Sequence, residues 1–508
     1  MGEKTSMRTL NRSVATASGV TPRDLPVRLL QFGEGNFLRA FIDWMVAEMN
    51  DQGLFNGKVA LVQPLEHGMV DMLAQQDYLY TLLLRGIEEG EVVVRQRLID
   101  VIERGLNVYT QFDDYLKEAD NPDLRIIVSN TTEAGIVLRA EDAPTDAPPI
   151  SFPGKLLRLM KRRYDCFGGD PAKGLLLFPC ELIDRNGDTL KAVLTELAGL
   201  WYPGDATFLT WLTESNVYFN TLVDRIVSGY PRDEAADLCA EFGYTDNLVD
   251  TGEIFHFLVI EGPREYEPEF PLVSAGLHVK WCDDMTPYRT RKVRILNGAH
   301  TMTVLAAHLY GLATVKQCMD DAVVSRYVSK GVLEEIIPTL DLPEEELLAF
   351  GQAVMERFSN PYIKHFLLSI SLNSVSKFKT RVLPSLLEYE RRRGELPELL
   401  TFSLAALVLF YRGQERGETC LKATRAVDGA AYEITDSPEV LDWFYDLWQG
   451  ETVSDAAAGS ALMAQVLARE EFWGLDLTTV AGLTEKSGGY LAAMVAEGVG
   501  PVMTRVAG

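Results

Sequence analysis

Residues 26–41, PVRLLQFGEGNFLRAF, carry an apolar run of strand length straight into a helical pattern through Gly33 and Gly35. A strand entering a helix through two closely spaced glycines opens an α/β unit, and no other stretch constrains the fold as tightly. In a dinucleotide-binding turn the first glycine makes the bend and the second lets backbone approach a pyrophosphate. The third allows close helix–strand packing. Gly33 and Gly35 can take the first two positions, while Leu38 stands where the third belongs. The anion site survives that change, because free amides at a helix N-terminus attract phosphate whatever residue 38 is. Leu38 should, however, hold the helix further from the sheet. The candidate cofactor turn is therefore Gln31, Phe32, Gly33, Glu34, Gly35, Asn36, Phe37 and Leu38, with Arg39 as a cationic contact one turn in. A tight turn with no ligand reads the same residues, but the position after the first strand of an α/β unit favours a nucleotide.

The rhythm continues. KVALVQP (58–64) reads as a second strand closed by proline, and 78–98 as a hairpin inserted in the parallel sheet. LRIIVSN (124–130) and GLLLFPCELI (174–183) read as further buried strands. Strands alternating with helices predict a Rossmann-type doubly wound sheet. The acid that grips the ribose hydroxyls normally ends the second strand, and Glu66 is the only carboxylate of LVQPLEHG. No arginine in that segment would welcome a 2′-phosphate, so NAD is expected rather than NADP. A solvated loop acid is the alternative reading of Glu66.

Near residue 285 the pattern changes. Helical periodicity dominates 286–310, 314–337, 344–357, 361–391, 396–411, 438–450, 454–471 and 486–498, with 424–439 as a surface insertion. Two domains are expected, a Rossmann-type domain over 1–284 and a mostly α-helical one over 285–508 that carries substrate and catalysis.

RKVRILNGAHTMTVLAAHLYG (291–311) is apolar nearly all round, yet it carries Lys292, Asn297 and His300. On an α-helix, taking Lys292 as zero, His300 falls at about 80° and Asn297 at about 140°, so all three share one side. Buried polar groups must be paired or functional. A lysine that shuttles a proton, an amide that donates to an alkoxide and a histidine that orients hydroxyls together suit carbonyl chemistry. The structural alternative is an ion-paired lysine and a satisfied core histidine. Gly298 in a helix interior costs about 1 kcal/mol against alanine, which points to a close approach there.

The formal net charge of −25 argues against a nucleic-acid partner, which would need clustered Lys and Arg. The six cysteines show no CxxC or zinc spacing and read as reduced thiols of a cytoplasmic protein. The six histidines form no H-x-x-x-H pair, so no metal is expected. No apolar run has the roughly 18 residues that a membrane span needs. The N-terminus lacks the apolar core of a signal peptide. MGEKTS matches the short N-acylation pattern, which chance often produces.

QFGEGNFLRAF, SNTTEAGI, FNTLVDRIVSGYPRDE and KVRILNGAHT, in that order, resemble the mannitol dehydrogenase family of polyol-specific long-chain dehydrogenases. PCELIDRNGD, NPYIKHFLLSI and FSLAALVLFYRG extend the resemblance from about residue 8 to residue 500. In that family the glycine turn is GxGxF, so a missing third glycine is expected. The K-x4-N-x2-H triplet is its catalytic signature. The resemblance implies Lys292 as general acid/base, Asn297 on the developing oxyanion and His300 positioning substrate. Val223-Asp224-Arg225 is implied to be architectural. Asn130, Thr131, Thr132 and Glu133, within SNTTEAG, are implied to border the nicotinamide.

One departure stands out. Mannitol-type members have Cys-Asp-Asn-Leu where this chain has Cys180-Glu181-Leu182-Ile183, which leaves Asn186 as the nearby candidate for a second substrate-binding amide. The resemblance implies a metal-independent, NAD-dependent oxidoreductase acting on a small hexuronate or aldonate, and a monomer. A substrate carboxylate needs a cation, preferably a bidentate arginine. Arg289, Arg294, Lys364, Lys377 and Arg381 are the candidates. Sister activities on another uronate or a neutral polyol, and a non-catalytic NAD sensor, are the alternatives.

Overall fold

The computed structural model describes residues 7–508, so the N-acylation pattern, Met1–Ser6, lies outside the described residues. The chain divides into two compact units, Met1–Met285 and Thr286–Gly508.

Among its described residues the first unit holds twelve strands: β1 (Val27–Phe32), β2 (Lys58–Gln63), β3 (Tyr80–Glu88), β4 (Glu91–Ile99), β5 (Ile102–Asn107), β6 (Ile126–Ser129), β7 (Leu176–Pro179), β8 (Val217–Tyr218), β9 (Asn220–Asp224), β10 (Asp250–Glu253), β11 (Phe257–Glu261) and β12 (Val279–Cys282). Six of them form one sheet in the order β5-β2-β1-β6-β7-β8, and its pairings are all parallel. Leu29, Val59 and Leu61 enter one core, while Leu30, Phe32, Ala60 and Val62 enter another. Alternate residues of each strand thus bury on opposite faces, and a doubly covered parallel sheet needs such continuous apolar runs. The strand order reverses between β1 and β6, where ligands of doubly wound sheets bind.

The hairpin of 78–98 forms, but outside the parallel sheet. β3 and β4 pair antiparallel, and with β10 they make a separate three-stranded sheet. β4 is exposed along most of its length, which a strand buried on both faces would not be. The parallel edge is taken instead by β5, IERGLN, whose composition gives no apolar run. β9, β11 and β12 form a third small sheet.

In the second unit the helix Gly298–Tyr310 is buried from Gly298 to Leu309. The helix Glu398–Phe410 is nearly as fully enclosed. The expected single helices over 314–337 and 361–391 are interrupted. The Asp321 side chain accepts from the amides of Val323 and Val324 and starts a new helix. Asn373 takes a left-handed φ of 53° before Ser374–Arg381. The expected insertion, 424–439, is the end of an antiparallel sheet that starts earlier, of Glu415–Arg416, Leu421–Thr424 and Ala431–Ile434. Leu421, Ala423, Tyr432 and Ile434 are buried in it, so one face is core rather than surface.

Candidate functional site

In the first unit the carboxyl ends of β1 and β6 meet at the switch point. Gly33 has φ +114°, and a Cβ there would lie 2.9 Å from the Asn130 carbonyl oxygen. Only glycine allows that contact in that conformation. Gly35 caps the helix that starts at Asn36, and a Cβ on it would meet nothing within 4 Å. The space beside Gly35 is open and no side chain caps the helix start, as an anion site requires. Leu38 is buried with its Cδ1 3.4 Å from the missing Gly33 Cβ. The next turn, Arg39–Asp43, widens into a π-helix. A groove of about 380 Å³ lies along this turn, lined by Gly33, Glu34, Gly35, Asn130, Thr131 and Thr132 among others.

The rest of the turn serves the fold. Gln31 is buried, and its Nε2 donates to the Gly33 carbonyl. The Phe32 ring packs edge-on against Phe152, centroids 4.9 Å apart. Phe37 stacks on Phe41, and the Asn36 Oδ1 accepts from Arg39 at 2.6 Å. Arg39 is the clearest correction. It is 1% exposed, its Nη1 donates to the Leu248 carbonyl, and its Nη2 stands 3.7 Å from the Asp250 carboxylate. A guanidinium enclosed in this way serves the packing beneath the turn and is withdrawn from the cofactor. Glu66 and Glu133 are exposed, and neither lines the groove.

The loop after β6 is held by Glu181, at the position that departs from the mannitol-type pattern. Its carboxylate accepts from Ser129 Oγ at 3.0 Å and from Thr131 N and Oγ1 at 2.9 Å each. Burial raises the pKa of Glu181, and these donors oppose the rise. Gly135 is required by the same packing, since a Cβ there would fall 1.9 Å from Thr131 Oγ1. Thr132 takes φ +74°, a conformation rare for a β-branched residue and found at functional loops.

Asn186 is fully buried. Its Nδ2 donates to the carbonyls of Pro179, Glu181 and Thr221, and its Oδ1 accepts from Thr221 N and Gly187 N. The amide joins β7, β9 and a helix start and has no donor left for substrate. The substrate assignment made from sequence is corrected. Arg225 is architectural, donating to the carbonyls of Ala40, Ile254 and Phe255. Tyr109, Leu65, Arg139 and Ile150 also line the groove. They come from three separate loops, Arg139 and Ile150 sharing the one after β6, and no local signal in the sequence marks them.

In the second unit Lys292–Asn297 is a π-helix rather than an α-helical turn. With i→i+5 hydrogen bonding, residue 297 closes a turn begun at 292, so Asn297 stacks above Lys292 more nearly than 140° of α-helical rotation allows. Lys292 and Asn297 are half-buried, and His300 is buried. The His300 ring lies 4.2 Å from the Phe358 ring and 5.1 Å from that of His365. Burial, then the charges of His365, Arg357, Arg381 and Lys377, push its pKa well below the ordinary histidine value. Its Nδ1 is buried without a hydrogen-bond partner.

The charges of Arg357, Arg381 and Lys377 thus favour a neutral imidazole. Lys377 is half-buried, its Nζ donating to the Ile370 carbonyl at 2.8 Å, and burial lowers the pKa of Arg381. Arg357, buried at the end of Glu344–Phe358, was not singled out from sequence, where it reads as an ordinary helix-terminal cation. Arg294 donates to Ser385 Oγ at 3.1 Å, and Arg289 and Lys364 are exposed. None of these three is among the largest charges acting on His300. Among the described residues, no group of three or more His, Cys, Asp or Glu could hold a metal ion. No described helix is long and apolar enough to cross a membrane.

Residues 27–272 match the mannitol dehydrogenase Rossmann domain, and 284–494 match the mannitol dehydrogenase C-terminal domain. An altronate oxidoreductase of Yersinia pestis is 46% identical over 494 residues, 97% of this chain and 98% of that protein. One from Escherichia coli is 45% identical over 495 residues, with the same coverage. Among solved structures, the Pseudomonas fluorescens mannitol 2-dehydrogenase ternary complex with NAD and D-mannitol is 23% identical. It aligns with a TM-score of 0.67 over 98% of this chain and 99% of that one. A substrate-free D-sorbitol dehydrogenase is 21% identical, with a TM-score of 0.79 over 97% and 100%. These two likenesses concern the fold.

Proposed function

The chain belongs to the mannitol dehydrogenase family, and from that premise we infer that it interconverts D-tagaturonate and D-altronate with NAD. The full-length relatives at 45–46% identity support this activity. The observation that carries it is that likeness over the whole chain, and Arg357, Lys377 and Arg381, whose charges act on His300, are the cations offered to the substrate. A uronate carboxylate calls for such cations.

The residues of the first unit fit a dinucleotide. Gly35 leaves the helix start open, Gly33 brings β1 against β6, and Glu181 fixes the loop of Asn130 and Thr131. Bound nicotinamide supplies the hydride for the ketone carbon and takes it back in oxidation. Lys292 gives a proton to the ketone oxygen as it becomes an alkoxide, and recovers it in reverse. Asn297, one π-turn on, donates its amide to the same oxygen. His300, kept neutral by burial and by its cationic neighbours, does not compete for that proton. Its unpartnered Nδ1 is available to orient a substrate hydroxyl. Lys377 and Arg381, with Arg357, hold the carboxylate. The protein works in the cytoplasm as a monomer.

NADH oxidation measured with tagaturonate, fructuronate and fructose tests this reading. Tagaturonate is expected to give the highest kcat/KM. Turnover of fructose alone overturns the substrate assignment, and a preference for fructuronate moves it to the sister activity.

A further inference from the structure

We propose that Glu34, rather than Glu66, is the carboxylate that receives the adenosine ribose hydroxyls and excludes a 2′-phosphate. The proposal rests on the NAD reading above. In dinucleotide folds this task falls to an acid at the end of the second strand. Here β2 ends at Gln63, and the carboxylate that follows, Glu66, is exposed and outside the groove lining.

Glu34 reaches the same place from the neighbouring strand. It lies between the two glycines of the turn, is 8% exposed, and lines the groove beside Pro64 and Leu65. Its Oε1 accepts from the Met69 amide at 3.3 Å, which docks the side chain on the segment following β2. Gly68 makes room for it. A Cβ at Gly68 would fall 2.0 Å from Glu34 Oε1 and 2.5 Å from Gln63 Cδ. The carboxylate therefore stands beside the last residue of β2 while belonging to the turn after β1. An ionised carboxylate has about four acceptor sites, so a vicinal diol can be received beside the Met69 amide. A 2′-phosphate there would meet a like charge in a confined site. Arg139 lines the same groove, so removing the Glu34 charge leaves a cation to attract that phosphate.

Titrating the full-length chain with NADH and with NADPH, by nucleotide fluorescence and without sugar, tests the proposal independently of the substrate. Glu34→Gln is expected to weaken NADH about tenfold or more and to tighten NADPH, while Glu66→Gln leaves both unchanged. Gly68→Ala, which displaces the carboxylate without removing it, should move the NADH/NADPH ratio the same way. It carries the test if Glu34→Gln does not fold. A ratio unmoved in the folded Glu34 and Gly68 variants overturns the proposal, as does a shift of equal size in Glu66→Gln. Wild-type protein that binds neither nucleotide would defeat the NAD reading itself, a separate failure.

Discussion

A Cβ on Gly298 would stand 3.2 Å from the carbonyl oxygen of Arg381. The glycine that opens the helix bearing His300 thus lets the Ser374–Arg381 segment pack against the Lys292–Asn297 turn. The close approach anticipated at Gly298 is made by backbone. Alanine would gain about 1 kcal/mol of helix propensity and lose about 1–3 kcal/mol to overpacking. We expect Gly298→Ala to leave thermal stability within a few degrees of wild type. It should lower kcat/KM for tagaturonate about tenfold, a change of about 1.4 kcal/mol in the barrier. NADH affinity should not change. Steady-state kinetics beside a thermal melt check this, and unchanged kcat/KM would show that Arg381 can yield at no cost.

Replacing a cation offered to the substrate should act on substrate charge. A hydrogen bond to a charged group contributes about 1.5–3 kcal/mol, so Arg381→Met is expected to raise KM for tagaturonate roughly 10- to 150-fold. Activity on fructose, measured in parallel, should not fall by the same factor. Equal losses on both substrates would make Arg381 a structural residue.

Asn186 is predicted to matter for folding and not for the sugar. Asn186→Ala leaves the Thr221 amide without its acceptor and takes one donor from the carbonyls of Pro179 and Thr221, while Pro179 keeps the Thr221 hydroxyl. A buried amide so orphaned costs about 1–3 kcal/mol, so urea unfolding should show a loss of at least about 1 kcal/mol. KM for tagaturonate in the folded variant should match wild type. A raised KM with unchanged stability would restore the assignment made from sequence.

Beneath the cofactor turn, Asp43 and Asp250 are both fully buried near Arg39. Burial lifts the pKa of each to about 7, with Arg39 opposing the rise. An acid held more tightly in the folded state contributes stability that is complete below its unfolded value of about 3.9. That stability is lost as pH rises through about 7. Asp43→Asn removes one of the two titrations. Its Tm relative to wild type should rise by roughly 2–4 °C between about pH 5 and pH 8. A Tm difference independent of pH would contradict the account.

The sequence made legible the strands that bury both faces. β1, β2, β6 and β7 are apolar at nearly every position because each contributes alternately to two cores. β10, Asp-Thr-Gly-Glu, is buried at all four positions without one large apolar side chain, so its burial is visible only in three dimensions. The site followed the same division. Gly33 and Gly35 were singled out because they follow a strand, where position implies a ligand, and Asn130 and Thr131 through the family resemblance, and the four line one groove. Arg39 and Asn186 were misread because their acceptors, such as Leu248 and Pro179, lie outside any local window. Lys292, Asn297 and His300 were singled out on α-helical angles. The π-turn that sharpens their alignment leaves no trace in the residue pattern.

Lys292→Ala tests the central claim most directly, when NADH binding and NADH-dependent tagaturonate reduction are measured on the same preparation. The account predicts that NADH binds as in wild type while turnover falls at least about 10²-fold, the lower range for general acid/base catalysis. Turnover that survives the substitution, with the protein folded and saturated in NADH, would remove Lys292 from the chemistry and contradict the mechanism.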